Sequence, residues 1–240
     1  MRQLLGLILA VAVLWGGYWF WGAQNAETDA QTWLDERRAE GWAADARAVE
    51  TAGFPNRFDT TFTDLELVDP ETGWAWRAPM FQVLRLSYEP NHMIAVWPNE
   101  QEIATPFGRI TILSDDMRAS AVFLDIDKLD IERGTFTAQE LRFVPEGRDA
   151  IRAETTQLSL RKTPEIDRSY DVALELKSWH LPPRVRAMAD PARLLPDVVD
   201  GFEISGTARF DKIWDKSALE DARPQPQEIT LDRALLLGGA

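Results

Sequence analysis

Hydrophobic positions change their spacing along the chain, and each spacing predicts a different element. From Leu4 to Ala23, "LLGLILAVAVLWGGYWFWGA", no charged residue occurs. A stretch of about 20 such residues is what an α-helix needs to cross the hydrocarbon layer. Trp15, Tyr18, Trp19 and Trp21 gather at its C-terminal end, where amphipathic rings favour the headgroup region, and Arg2 stands at the other end. These residues predict a membrane anchor over 1–25, inserted N-in, with the rest of the chain exported. A cleaved signal peptide is the alternative, but its apolar core usually runs about 7–15 residues and ends in a small-x-small site. The sequence "WGAQNA" offers only a poor version of that site. From Glu27 to Glu40, Ala30, Trp33, Leu34 and Arg37 recur at helical spacing and predict a stalk helix over 26–41, ended at Gly41.

Past Gly41 the period drops to two and short β-like runs are divided by Gly, Pro, Asn and Asp, which predicts an exported β-rich domain over 42–240. Tyr170, Val172, Leu174 and Leu176 alternate with Asp171, Ala173, Glu175 and Lys177, the pattern of a half-buried strand. Met117 to Phe123 and Ile204 to Phe210 repeat it. Further strands are expected at Trp74 to Ala78, Val83 to Tyr88, His92 to Trp97, Arg109 to Leu113, Asp127 to Arg133, Phe136 to Phe143, Arg152 to Arg161 and Gln227 to Leu237. Only 183–199 has a helical face, through Val185, Met188, Leu194, Leu195 and Val198, with Pro191 and Pro196 set to break or kink it. The predicted class is mainly β: a transmembrane helix and stalk, then a long bent antiparallel sheet, as an open groove or a sandwich, with one small helical insert.

One strand does not keep its phase. In "AGFPNRFDTTFTDLEL", Phe58 and Phe62 are at even positions and Leu65 and Leu67 at odd ones, so strict alternation would send the pairs to opposite faces. A second copy of the pattern, "TFTAQELRFVPEG" from Thr135, matches "TFTDLELVDPETG" from Thr61, and there Phe136 is followed by Leu141 and Phe143. A bulge near Thr63 and Asp64, used to bend the sheet, is the expected device.

Charge and composition remove several classes of function. With 39 acidic against 26 basic residues the formal charge is -13, which repels nucleic acid and leaves no polybasic patch for anionic headgroups. The absence of cysteine removes disulfides, thiolate metal sites and thiol nucleophiles. His92 and His180 are the only histidines, so a three-histidine zinc site is excluded, and His92 is expected to act as a hydrogen bonder at a strand edge. Asp125, Asp127 and Asp130 lack the order of a calcium loop and are expected at a solvated strand end. No nucleophile elbow, phosphate loop or H-E-x-x-H motif occurs. The sequence therefore predicts neither catalytic residues nor a cofactor. Trp74, Trp76, Tyr88, Met93 and Trp97 remain as candidates to line an apolar groove or to pack a core.

Four runs, "GFPNRFD" at Gly53, "GWAWRAP" at Gly73, "LSYEPNHMIAVWP" at Leu86 and "RPQPQEITLDRA" at Arg223, together with the anchor, resemble an uncharacterised bacterial envelope family, domain-of-unknown-function family 2125. Family members look longer, so this chain is expected to stop on an unfinished hairpin. More distantly, the layout is similar to the AsmA-like envelope proteins, whose long sheets form apolar grooves linked to lipid handling. The anchor, the bent alternating strands and the apolar aromatics between Trp74 and Trp97 predict a non-enzymatic periplasmic protein anchored in the inner membrane that holds or passes acyl chains along a curved sheet. Its partners would be phospholipid or another envelope protein. The alternative is an interaction scaffold with a closed β core and no ligand.

Overall fold

The computed structural model describes residues 1–180, 182–190, 192, 198–220 and 223–238. A single helix, α1 (Arg2–Ala39), carries both the apolar stretch and the predicted stalk. Neither Gly nor Pro lies between Ala23 and Glu40, so nothing there breaks the helix and no joint separates anchor from stalk. It stops where Gly41 takes φ +93, its N–H bonding the Arg38 carbonyl while the Trp42 N–H bonds that of Arg37. This pair of bonds closes a helix end in a Schellman motif. The helix is long and apolar enough to cross a membrane, and Leu4, Leu5, Leu7, Ile8, Leu9, Val11, Val13 and Leu14 are all exposed on it.

The remaining elements are almost all strands: β1 (Ala43–Asp45), β2 (Ala48–Ala52), β3 (Arg57–Asp69), β4 (Trp74–Leu86), β5 (Glu89–Val96), β6 (Glu100–Thr105), β7 (Gly108–Leu113), β8 (Asp116–Asp125), β9 (Asp130–Pro145), β10 (Ile151–Lys162), β11 (Ser169–His180), β12 (Val198–Phe210) and β13 (Pro226–Gly238). They form one 13-stranded antiparallel sheet, which selects the long open sheet over the sandwich. Three columns hold two strands end to end. β1 and β2 share one flank of β3, β5 and β6 share one flank of β4, and β8 and β7 share one flank of β9.

The gaps between those end-to-end strands fall on a line that crosses the sheet. Along it the β3–β4 pairing passes from Thr63–Met80 to Leu65–Ala78, leaving out Asp64. The β9–β10 pairing passes from Gln139–Thr155 to Leu141–Ala153, leaving out Glu140, and the β11–β12 pairing leaves out Ser178 between Lys177 and Trp179. Asp64, Glu140 and Ser178 have φ of 49°, 50° and 48°, the left-handed region. Each turns its strand over by one position, so Phe62 is followed on the buried face by Leu65, and Ala138 by Leu141. The phase change is thus where the sequence put it, but it is not a bulge. Register is kept on both sides of Asp64 because β4 turns over at the same level, at Pro79.

This crease also explains why one pair of predicted runs is a single strand. Trp74 to Ala78 and the Val83 to Leu86 part of the run predicted to Tyr88 join into β4 through Pro79, which sits on the crease, where no ladder bond needs its missing N–H; Ser87 and Tyr88 form the turn after it. Of the predicted run Asp127 to Arg133, Asp127 to Leu129 form the turn before β9, and Asp130 to Arg133 join Phe136 to Phe143 in β9 through Gly134, away from the crease. The two sequence copies both contain the crease and both end in a left-handed glycine, Gly73 (φ 74) and Gly147 (φ 68). Their left-handed carboxylates, Asp64 and Glu140, are two positions apart in that alignment, so the repeat preserves the device and not its register.

Of the predicted helical insert, Pro183–Ala189 forms α2, Leu194 and Leu195 lie outside the described residues, and Val198 begins β12. A second short helix, α3 (Lys216–Glu220), was not foreseen. Core density follows from having one layer. Leu34 of α1 buries with Ala44, Phe62 and Leu65, and a second cluster joins Ile112, Ala138 and Leu141. Near the β11–β12 end, Tyr170 is buried against Phe210 and its hydroxyl accepts the Trp214 N–H at 3.3 Å. Burial pushes its phenol pKa up.

Candidate functional site: an apolar pocket between helix and sheet

Gly22, Ala26 and Ala30 recur every fourth residue of α1 and, with Ala23, give that helix a small-residue face. The face lies over β1, β2 and β3. The closest approach is at Gly22, where a Cβ would stand 2.5 Å from the Phe58 ring tip. Phe58 is buried, its ring stacked on Trp19 at 6.1 Å, with the Arg85 guanidinium 5.6 Å from its centroid. Gly22→Leu is therefore expected to cost about 1–3 kcal/mol by overpacking. It should appear as a lower thermal midpoint of the purified chain; an unchanged midpoint would mean that α1 is not seated on Phe58.

Beyond Gly22, helix and sheet part and enclose a cavity of about 380 Å³. Ala26, Asp29, Ala30 and Trp33 line it from α1, Phe58, Thr60, Phe62 and Leu65 from β3, Trp76, Phe81, Val83 and Arg85 from β4, and Met93 from β5. Its polar wall atoms are largely committed elsewhere. The Thr60 and Thr51 hydroxyls bond each other at 2.9 Å, and the Trp76 indole N–H donates to Gln101 Oε1 at 2.6 Å. The rings present carbon to the cavity. Asp29 and Arg85 are the charged residues of the wall, and neither forms an ion pair among the described residues.

An aromatic ladder runs from this pocket across the sheet. Ring centroids are 6.1 Å apart for Phe62–Phe81, 5.3 Å for Trp76–Phe81, 5.4 Å for Phe81–Trp97 and 6.1 Å for Trp97–Phe136. The ladder joins the helix-covered part of the sheet to the face of β9, where Phe136 pairs with Leu158, and Leu158 with Leu174 of β11. A larger cleft of about 1110 Å³ lies beside α2, lined by Glu102, Arg109, Glu146, Arg148, Asp149 and Arg184 among others. Those charges make it a wet surface feature, unsuited to an apolar ligand.

Of the candidate groove residues, Trp76 and Met93 line the pocket and Trp97 abuts it through Phe81. Trp74 is 51% exposed at the distant start of β4, and Tyr88 is 64% exposed in the β4–β5 turn, so neither belongs to it. The wall residues Ala26, Ala30, Trp33, Phe58, Phe62 and Phe81 were not foreseen. The every-fourth-residue small face of α1 was the signal for its half.

The anchor aromatics are also placed differently from a simple lipid-facing belt. Trp21 is exposed, but Trp15, Tyr18 and Trp19 donate to the carbonyls of Pro55, Ser87 and Arg57 in the β turns beside them. His92 Nε2 meets Ser120 Oγ at 2.8 Å across β5 and β8. Asp125 accepts the N–H groups of Asp127 and Lys128 in a turn, and the Lys128 side chain holds its carboxyl below the ordinary range. Among the described residues no cluster of three or more His, Asp or Glu could hold a metal ion.

A single open antiparallel sheet, capped at one end by a long apolar helix over an apolar pocket, defines a helix-tethered β protein. The chain belongs to the DUF2125 family, described as uncharacterized proteins conserved in bacteria, whose model matches residues 19–240. No curated protein and no solved structure matches it.

Proposed function

We infer that this protein is a non-enzymatic, membrane-anchored component of the bacterial envelope that holds lipid acyl chains between α1 and its sheet. The observation that carries this reading is the position of the 380 Å³ pocket. It begins within one helical turn of the end of the uncharged stretch of α1, at Ala26, and its wall is mostly carbon. From Ala26 to Trp33 it follows the helix for about 10 Å. A chain leaving a leaflet beside the helix would meet it first. The N-terminal helix is read as an uncleaved inner-membrane anchor, N-in, with the sheet in the periplasm. Its support is that Trp15, Tyr18, Trp19 and Gly22 make contacts with the β domain that cleavage would discard.

The test is lipid extraction and mass spectrometry of the full chain purified in mild detergent, compared with Ala26→Trp. The substitution replaces a small helical residue with a ring directed into the pocket. Retained phospholipid in the natural chain and at least a several-fold loss in the variant are expected. Equal retention in both, or none in either, would overturn the pocket as a lipid site.

A scaffold role has its own supporting observation. Among the described residues β13 bonds only β12, and Ile229, Leu231, Leu236 and Leu237 are exposed on it. An open edge of this kind accepts a partner strand. The closed core of that alternative is replaced by a single sheet, so a partner would have to be captured at the edge.

A further inference from the structure

Two turns project from the sheet beside the apolar part of α1: β2–β3, with Gly53 to Asn56, and β4–β5, with Ser87 and Tyr88. Four of their six backbone carbonyls, and that of Arg57 beside them, are bonded. Trp15 Nε1 reaches the Pro55 carbonyl at 3.0 Å, Tyr18 Oη the Ser87 carbonyl at 2.8 Å, and Trp19 Nε1 the Arg57 carbonyl at 2.7 Å. Within the turns, the Arg57 N–H takes the Gly53 carbonyl at 2.9 Å and the Ser87 N–H that of Asn56 at 2.8 Å. Exposed turn carbonyls in water need no such partners, because water supplies them. Inside the hydrocarbon, where no water reaches, each one left bare costs several kcal/mol.

Depth agrees with the bonding. Trp15 precedes Glu27, the first acidic residue, by twelve positions, or about 18 Å of helix. The Pro55 carbonyl it bonds therefore lies deeper than the first acidic residue of α1, while on the sheet side Arg57 and the exposed Glu89 flank the two turns. They also present apolar groups outward: Phe54 is 61% and Tyr88 64% exposed, and Phe54 meets Trp19 edge-on at 5.4 Å. The nearby charge of Arg57 is neutralised by Asp59 at 2.7 Å. Arg85, at the Phe58 end of the pocket, stands where a lipid phosphate would complement it.

We propose that the β2–β3 and β4–β5 turns are embedded in the leaflet that α1 crosses, with Phe54 and Tyr88 among the lipids and the Phe58–Arg85 end of the pocket facing that leaflet. This rests on α1 spanning a bilayer. It adds that the domain is seated on the membrane surface instead of held away from it on a stalk.

The natural chain has no cysteine, so single nitroxide labels can be placed at will. Phe54→Cys and Phe107→Cys are compared in the full chain reconstituted in phosphatidylcholine–phosphatidylglycerol vesicles. Phe107 is 93% exposed in the β6–β7 turn, at the opposite end of the strands, and reports water contact. Collisions with oxygen, which concentrates in lipid, are measured against those with a polar nickel chelate. An oxygen-to-nickel ratio several-fold higher at position 54 than at 107 is expected, and equal ratios overturn the proposal. If Phe54→Cys does not reconstitute, Tyr88→Cys takes its place under the same criterion. Carbonate washing separates the two claims. A chain released from the vesicles removes the spanning helix and the proposal with it, whereas a retained chain with equal ratios removes only the embedded turns.

Discussion

Phe62→Ala lowers the thermal midpoint of the delipidated full chain by about 6–20 °C, from a loss of about 3–5 kcal/mol for a buried ring at 2–4 °C per kcal/mol. Phe62 is 7% exposed, packs with Leu34, Ala44 and Leu65 where α1 meets the sheet, and touches the Phe81 ring. It is also part of the pocket wall. Its removal enlarges a cavity that already exists, adding to space that the surrounding side chains leave unfilled. A bound acyl chain would fill part of the new space and stabilise the folded state by mass action. The loss measured with phospholipid present should therefore be smaller than without it. Phe107→Ala, at an exposed turn, stays within about ±0.5 kcal/mol of the natural chain. Equal losses for Phe62→Ala and Phe107→Ala would mean that the helix–sheet junction is not a core. An equal loss for Phe62→Ala with and without phospholipid would count against an acyl chain in the pocket.

How far the fold was legible depended on whether the governing interaction was local. The alternation in Tyr170 to Leu176 and in Met117 to Phe123 marked strands because one face of each is more buried than the other. β1, β2 and β6 escaped notice. The first two are only short stretches sharing the flank of β3, and β6 is the continuation of β5 past Pro98. Pro79 misled for the same reason, since its tolerance in β4 comes from Asp64 opposite it, distant in sequence. On the site, Trp76 and Met93 could be chosen as apolar strand residues. The helix half of the wall could not, because splitting anchor from stalk at residue 25 cut the Gly22, Ala26, Ala30 face in two. Trp15, Tyr18 and Trp19 stand out in the sequence as a cluster toward the end of the uncharged stretch. That their donors serve the Pro55, Ser87 and Arg57 carbonyls is a tertiary fact that no local pattern encodes.

The crease makes the second large prediction, because three left-handed residues in separate strands all turn the sheet over. Relative to glycine at the same three positions, Asp64→Val, Glu140→Val and Ser178→Val combined are expected to cost roughly 3–6 kcal/mol, at about 1–2 kcal/mol for each β-branched side chain held at a left-handed φ that glycine adopts freely. The costs should add. Asp64 and Glu140 are four strand columns apart, about 19 Å, and Glu140 and Ser178 two columns, about 10 Å, beyond the range of ordinary coupling. The matching triple glycine variant accepts the same φ without a Cβ and is expected to melt at or above the natural midpoint. Asp64 carries a side effect, its 2.6 Å ion pair with Arg47, but both groups are largely exposed and such a pair contributes little. Glu140 forms no ion pair among the described residues, so Glu140→Val against Glu140→Gly is the clean single comparison. Thermal melts followed by circular dichroism read the result. Coincident midpoints for the valine and glycine variants would show that the strands do not need those three φ values. A separation in the stated direction would show that β3, β9 and β11 hold these three positions at a left-handed φ that the fold requires.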